Sequence, residues 1–242
     1  MLTDAGATTN ATGGVRIRRV SPVVGAKWNV AVHADSEAPD VQAGTQHSKY
    51  VSEYRVEVLA IDGPAIASVK LHFDRNVQIY QDEEKPTAIN GKTYVVSRSA
   101  PFVSDESGSP APDDEKQRVL DVFPDLGTRT RIDEVLPDEP MNIGDRRDEL
   151  AGAILRTIHP RAWKLEKGRA VLSREAGTEV VFSVAIDATS ESGLSMKLEG
   201  EANVRVADAR LSSLTLSGTY VTAKAPDEKG RFLLRRTVTD VR

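Results

Sequence analysis

The stretch from Thr178 to Tyr220, TEVVFSVAIDATSESGLSMKLEGEANVRVADARLSSLTLSGTY, places an apolar residue at nearly every second position. Val180, Phe182, Val184 and Ile186 form one set, Leu194, Met196 and Leu198 a second, Ala202, Val204 and Val206 a third, and Leu214, Leu216 and Tyr220 a fourth. A period of two is that of a β-strand with one face buried and one wet. Ser192-Gly193 and Asp208 fall between the sets as turn residues, so the stretch predicts consecutive antiparallel strands.

Working outward, the same alternation recurs over most of the chain. Tyr50 to Ala60 carries Tyr54, Val56 and Val58 on one face; Asp62-Gly63-Pro64 reads as a turn, and Ala65 to Tyr80 alternates again through Val69, Leu71, Phe73, Val77 and Ile79. Asn90-Gly91 is a tight-turn dipeptide that leads into a strand over Lys92 to Arg98. Val15 to Val32 alternates weakly, with a turn at Ser21-Pro22, and the polar run His33 to Ser48 reads as a loop. Towards the C-terminus, Trp163 to Val241 reads as strand after strand, with turns at Lys167-Gly168, Glu175 to Gly177, Ser192-Gly193, Asp208 and Pro226 to Gly230.

Two short helices interrupt these halves. Ser104 to Pro112 is a Ser/Asp/Gly/Pro loop, after which Val119, Leu120 and Phe123 recur at helical spacing over 113–122 until Pro124. Asp145 stands where an N-cap belongs, and Leu150, Ile154, Leu155 and Ile158 form an apolar stripe over 146–158 that should end at His159-Pro160. The expected fold is therefore mainly β (α+β), a curved antiparallel sheet or half-barrel with two short helices. It comprises a flexible segment over 1–14 and a single β-rich domain over 15–242 with a helical insertion near 113–158.

Composition limits the chemistry. Of 242 residues, 39% are hydrophobic and 28% charged, as in an ordinary soluble protein, but only 5% are aromatic, so the core must rest on Val, Leu, Ile and Ala. The net charge of -4 comes from 32 basic and 36 acidic residues mixed along the chain, which argues against nucleic acid as a partner. There is no cysteine, hence no disulfide framework, thiol catalysis or Cys-ligated metal. No run approaches the roughly 20 apolar residues that span a bilayer, so no transmembrane segment is expected. The Thr/Ala/Gly/Asn-rich start fits the residue of a removed leader, which would place the protein in the periplasm or cell envelope; otherwise it is cytoplasmic.

Candidate catalytic groups do not converge in the sequence. His33, His47, His72 and His159 lie in four separate segments, none with a partner at metal-ligand spacing. No serine stands in a nucleophile elbow. The carboxylates Asp82-Glu83-Glu84, Asp113-Asp114-Glu115 and Asp138-Glu139 adjoin turn residues, where charge solvates the chain. No metal, cofactor or catalytic residue is assigned. The apolar faces carry a sharper reading: a curved sheet with a helix across its concave side makes a cavity whose aliphatic walls suit an acyl chain. Its lining would be Val56, Val58, Leu71, Phe73, Leu150, Ile154, Val184, Ile186, Met196 and Leu198, which alternation and helical spacing direct to one interior. The alternative is that the helix fills the concavity and these residues are packed core.

The segment Ile89-Asn90-Gly91-Lys92-Thr93-Tyr94-Val95-Val96, the later Leu136-Pro137-x-x-Pro140-Met141-x-Ile143-Gly144-Asp145 and the closing long strands, spanning residues 50 to 241, together resemble a group of exported bacterial proteins, many of them envelope lipoproteins. At fold level the chain also looks like the half-barrel envelope carriers that shelter lipid or lipoprotein acyl chains. With no catalytic motif in the chain, the expectation is a non-enzymatic protein that binds or assembles, and the resemblance implies an envelope or surface setting with a lipid or other apolar ligand and a protein as possible partners. A hydrolase using scattered carboxylates and a structural subunit of a larger complex are the alternatives. The chain departs from a mature lipoprotein in having no cysteine to acylate.

Overall fold

The computed structural model describes residues 14–18, 20, 22–40, 44–63, 65–100, 102–123, 126, 132–158, 163–191, 193–222 and 225–241. The expected flexible segment up to residue 13, the turn residue Ser21, the helix stop at Pro124 and the helix end at His159-Pro160 lie outside the described residues.

Strand follows strand as the alternation requires. The N-terminal half forms β1 (Lys27–Asp40), β2 (Gly44–Asp62), β3 (Ala65–Tyr80), β4 (Glu83–Pro86), β5 (Thr93–Ser97) and β6 (Val103–Asp105). After α1 (Asp113–Val122), the single turn α2 (Ile132–Val135) and α3 (Asp148–Ile158) come β7 (Trp163–Ala176), β8 (Glu179–Ser190), β9 (Leu194–Arg205), β10 (Leu211–Thr222) and β11 (Ala225–Asp240). All eleven strands belong to one antiparallel sheet in the order β6-β5-β3-β2-β1-β11-β10-β9-β8-β7, with β4 also on β3. Each half is a meander, and the first and last strands join them along a ladder from Trp28↔Asp240 to Glu37↔Arg231. The sheet is not closed into a barrel: β6 and β7 are its ends.

One face of this sheet carries two apolar clusters, and the helices cover it in two places. In the C-terminal half α2 and α3 press on Leu172, Phe182, Ile186, Leu198 and Leu216. In the N-terminal half α1 contributes Val119, with Phe123 just beyond, to a cluster built on Tyr54, Val56, Leu71, Phe73 and Tyr94. Helix α3 buries Leu150, Ala151, Ala153, Ile154 and Leu155 and carries Asp148 and Glu149 in its first turn and Arg156 in its last, as the helix dipole favours. Helix α1 buries only Val119 within its span. Polar contacts hold it instead: Glu115 accepts hydrogen bonds from Lys92 Nζ at 2.6 Å and from the Tyr94 hydroxyl at 2.5 Å. Among the described residues no helix is long and apolar enough to cross a membrane.

Several local expectations are corrected. The polar run His33 to Ser48 is not a loop: β1 continues to Asp40 and β2 starts at Gly44, paired as far as Asp40↔Gly44. Cross-strand polar pairs replace apolar ones there, including Ser36 Oγ with Ser48 Oγ at 2.7 Å and His47 with Glu37 at 3.6 Å. Ser104 and Asp105 belong to β6 rather than to the following loop. Asp145 does not cap the second helix; residues 144–147 run beside β7, with Gly144 N donating to Leu172 O and Arg147 N to Ala170 O, and the helix starts at Asp148. Lys167-Gly168 is no turn but part of β7, next to a register shift between Leu165 and Lys167. Pro226 to Gly230 lies within β11, because the reversal after β10 comes earlier than the glycine suggests.

Candidate functional site

The two apolar clusters do not meet over the whole sheet. Between α1 and α3 the inner face is left open along the β1–β11 seam, at the strand ends that sequence reading took for a loop. A cavity of about 620 Å³ occupies this gap, lined by β1, β2, β3 and β11 below and by the C-terminal turns of α1 and α3 above. One side is apolar: Val32 and Ala34 of β1, Phe232 and Leu234 of β11, Val122 of α1 and Ile158 of α3. The other side is polar: Ser48, Tyr50 and Ser52 of β2, Asn76, Gln78 and Tyr80 of β3, and Arg118 and Asp121 of α1. Alternation explains this division, since residues 50 and 52 continue inward the row of Tyr54, Val56 and Val58 with hydroxyls in place of hydrocarbon.

The polar side is tightly organised. Asn76 is 1% exposed and Ser52 is fully buried. The Asn76 amide donates to Tyr50 Oη at 2.7 Å and to Ser52 Oγ at 2.9 Å, while its carbonyl oxygen accepts from Thr87 Oγ1 at 2.6 Å. Asn76 N donates to Asn90 Oδ1 at 2.7 Å, tying the site to the Asn90-Gly91 turn. Both amide hydrogens of Asn76 are thus used. Each of the two hydroxyls accepts from Asn76 and keeps its own O–H for an acceptor. Burial pushes the Tyr50 hydroxyl above its ordinary pKa; the neighbouring Ser52 hydroxyl, the bond from Asn76 and the charge of Arg118 oppose that rise, and Asp121 adds to it. Tyr50 is therefore a protonated donor at neutral pH.

The ten residues expected to line an interior lie elsewhere. Val56, Val58, Leu71 and Phe73 are in the N-terminal cluster, and Leu150, Ile154, Val184, Ile186, Met196 and Leu198 in the C-terminal one. All are 5% exposed or less, so the structure gathers them into two packed cores on one sheet face and not into one open interior. None lines the cavity. The cavity residues Ser48, Tyr50, Ser52, Asn76 and Gln78 were missed because the candidate lining was drawn from apolar positions alone; the available signal was that Tyr50 and Ser52 keep the inward parity of Tyr54.

A second cavity, of about 250 Å³, lies further along the same seam, lined by Ala26, Trp28, Ile66, Phe123, Leu211 and Val238 among others. Thr157 and Arg236 line both cavities. At its rim the Arg210 guanidinium stacks on Trp28, 4.6 Å from the ring centre, and Arg210 pairs with Asp240, which also pairs with Arg205.

The fold and site define an open antiparallel half-barrel with helices and a two-faced cavity on its inner side. No protein-family model and no curated protein matches the chain. Among solved structures it is similar to lipovitellin, in a study of lipid-protein interactions in that protein, at 8% identity and a TM-score of 0.45, over 91% of this chain and 25% of the other. It is also similar to DynF from the dynemicin biosynthesis pathway of Micromonospora chersina, at 10% identity and a TM-score of 0.26, over 98% of this chain and 92% of the other. The chain thus spans about a quarter of the length of the lipovitellin chain.

Proposed function

We propose that this is a non-enzymatic binding protein whose cavity between the two cores holds a hydrophobic ligand, an acyl chain. The observation that carries the reading is the cavity itself, about 620 Å³ with a wall of Val32, Ala34, Phe232, Leu234, Val122 and Ile158. That volume is in the range of small-molecule sites, which combine apolar walls with a few placed polar groups. Each methylene withdrawn from water there contributes about 0.8 kcal/mol, so an aliphatic chain gains affinity without any aromatic stacking. Location in a cell envelope, carried by the resemblance of the sequence motifs, belongs to the same proposal and is tested by fractionation of the producing cells.

Native mass spectrometry after gentle purification, together with titration of a fluorescent fatty acid, tests the reading. A co-purifying lipid mass, or saturable binding that unlabelled fatty acid displaces, is the expected result. A clean apo mass, no saturable binding and turnover in a panel of hydrolase substrates would replace it with the enzymatic alternative.

A further inference from the structure

Arg236 and Thr157 have cavity on both sides of them. Both spaces follow the same strand, β11, whose inward residues run Phe232, Leu234, Arg236, Val238: the first two line the larger cavity, the last lines the smaller, and Arg236 stands between. The Thr157 hydroxyl is turned back on its own helix, donating to Ile154 O at 2.7 Å. It does not close the passage with a polar bond across it. Arg236 is half-buried and borders both spaces, so an aliphatic chain can lie along its methylene stem while the guanidinium keeps its own contacts. On β1, Ala34 stands opposite Tyr50 and Leu234, and Trp28 is six residues further along the strand, so the path from Tyr50 to Trp28 is about 20 Å long at the rise of an antiparallel strand, the length of a long fatty acyl chain and not of a short one.

The two ends of this path differ chemically. At the larger cavity stand the hydroxyls of Tyr50 and Ser52 and the exposed guanidinium of Arg118, with the Asp121 carboxylate further along α1; the hydroxyls and the guanidinium suit an oxygen acceptor bearing negative charge. Beyond Arg236 the wall becomes Ala26, Trp28, Ile66, Phe123 and Val238, and the Arg210 guanidinium on Trp28 is already paired with Asp208 and Asp240.

We propose that the two cavities are two chambers of one site for a long-chain fatty acyl anion. Its head bonds to the Tyr50–Ser52 pair and Arg118, and its chain passes between Thr157 and Arg236 to end against Trp28. This rests on the acyl-chain reading above and extends it to chain length, head chemistry and orientation.

The test uses the full chain with octanoate and palmitate. Ala26→Phe fills the inner chamber and Ala34→Phe the outer one. The expected result is that Ala26→Phe weakens palmitate about tenfold or more, the value of a few buried methylenes, and leaves octanoate unchanged, whereas Ala34→Phe weakens both. Palmitate brominated at its terminal carbon should quench Trp28 fluorescence in a Trp163→Phe background, and palmitate brominated beside its carboxylate should not; this pair decides the matter even where Ala26→Phe fails to fold. Equal palmitate binding by folded Ala26→Phe, or stronger quenching by the head-brominated acid, overturns the two-chamber site while leaving acyl binding intact. If neither acid binds the unaltered protein, the acyl-chain reading itself falls.

Discussion

Gly168 of β7 lies directly against Ala151 of α3: a Cβ placed on Gly168 would stand 2.9 Å from the Ala151 Cβ and 3.0 Å from Leu165 Cδ2. The helix approaches the strand as closely as a missing side chain allows, which is the role glycine takes in a strand interior. Gly168→Ala should therefore destabilise the protein by about 1–3 kcal/mol through overpacking. Ala151→Gly in the same chain should recover part of that, beyond its own helix-propensity cost of about 1 kcal/mol. A double-mutant cycle by urea unfolding measures the coupling; strictly additive effects would mean that α3 does not press on β7 here.

Phe73 is fully buried, with its ring centre 5.5 Å from that of Tyr54 and 6.1 Å from that of Tyr94. Phe73→Ala should cost about 3–5 kcal/mol, the range for an aromatic ring removed from a packed core. Ile154→Ala, in the other cluster, should cost about 2–5 kcal/mol. Since the residues share no cluster, the double variant should lose the sum of the two. A loss below 1 kcal/mol for Phe73→Ala would show that its surroundings are an open cavity.

The docking of α1 should be pH-dependent at both extremes. Hydrogen bonds from Lys92 and Tyr94 hold the Glu115 carboxyl below its ordinary value of 4.5. Its folded pKa being depressed, its contribution is present above 4.5 and lost as pH falls through the lower folded value. Burial and the bond to Glu115 raise the Tyr94 hydroxyl above its ordinary 10.0, so that contribution is present below 10.0 and lost as pH rises through the higher folded value. Glu115→Gln should lose about 1–2 kcal/mol at neutral pH and much less than that at pH values below the folded pKa of Glu115. Parallel stability–pH curves for the two proteins on the acid side would refute the assignment.

The alternation of apolar residues made the strands legible wherever one face meets a packed core. Tyr50–Ala60, Ala65–Tyr80 and the strands after Thr178 were readable for that reason, as was α1 from its spacing and flanking prolines. Legibility failed where burial and polarity part company. The outer halves of β1 and β2 face a cavity, so their inward row carries Ser36 and Ser48 before Tyr50 and Ser52, and the polar run over 33–48 looks like a loop. Gly168 and Gly230 looked like turn residues because a close approach by Ala151 or the Tyr220 ring leaves no trace in the local sequence. The inward direction of the ten apolar positions was readable, but their division between two cores depends on the β1–β11 ladder, which joins residues some 200 positions apart.

Tyr50 and Arg118 make separable contributions to the cavity's polar end. Tyr50→Phe keeps the ring and removes the hydroxyl, leaving one Asn76 amide hydrogen without its partner, at a stability cost of about 1 kcal/mol. If the head of an acyl ligand bonds there, the change should also weaken palmitate about tenfold, the worth of one such bond, and should weaken uncharged hexadecanol similarly, since a hydroxyl donor serves either head. Arg118 is exposed, so Arg118→Gln should leave stability unchanged. It should weaken palmitate and flatten the dependence of its affinity on salt, while hexadecanol binds as before. Titration of both ligands at low and high salt reads all four effects. Palmitate affinity unaltered in both variants would place the head outside this end of the cavity, and equal loss of the alcohol and the acid in Arg118→Gln would remove charge recognition from the account.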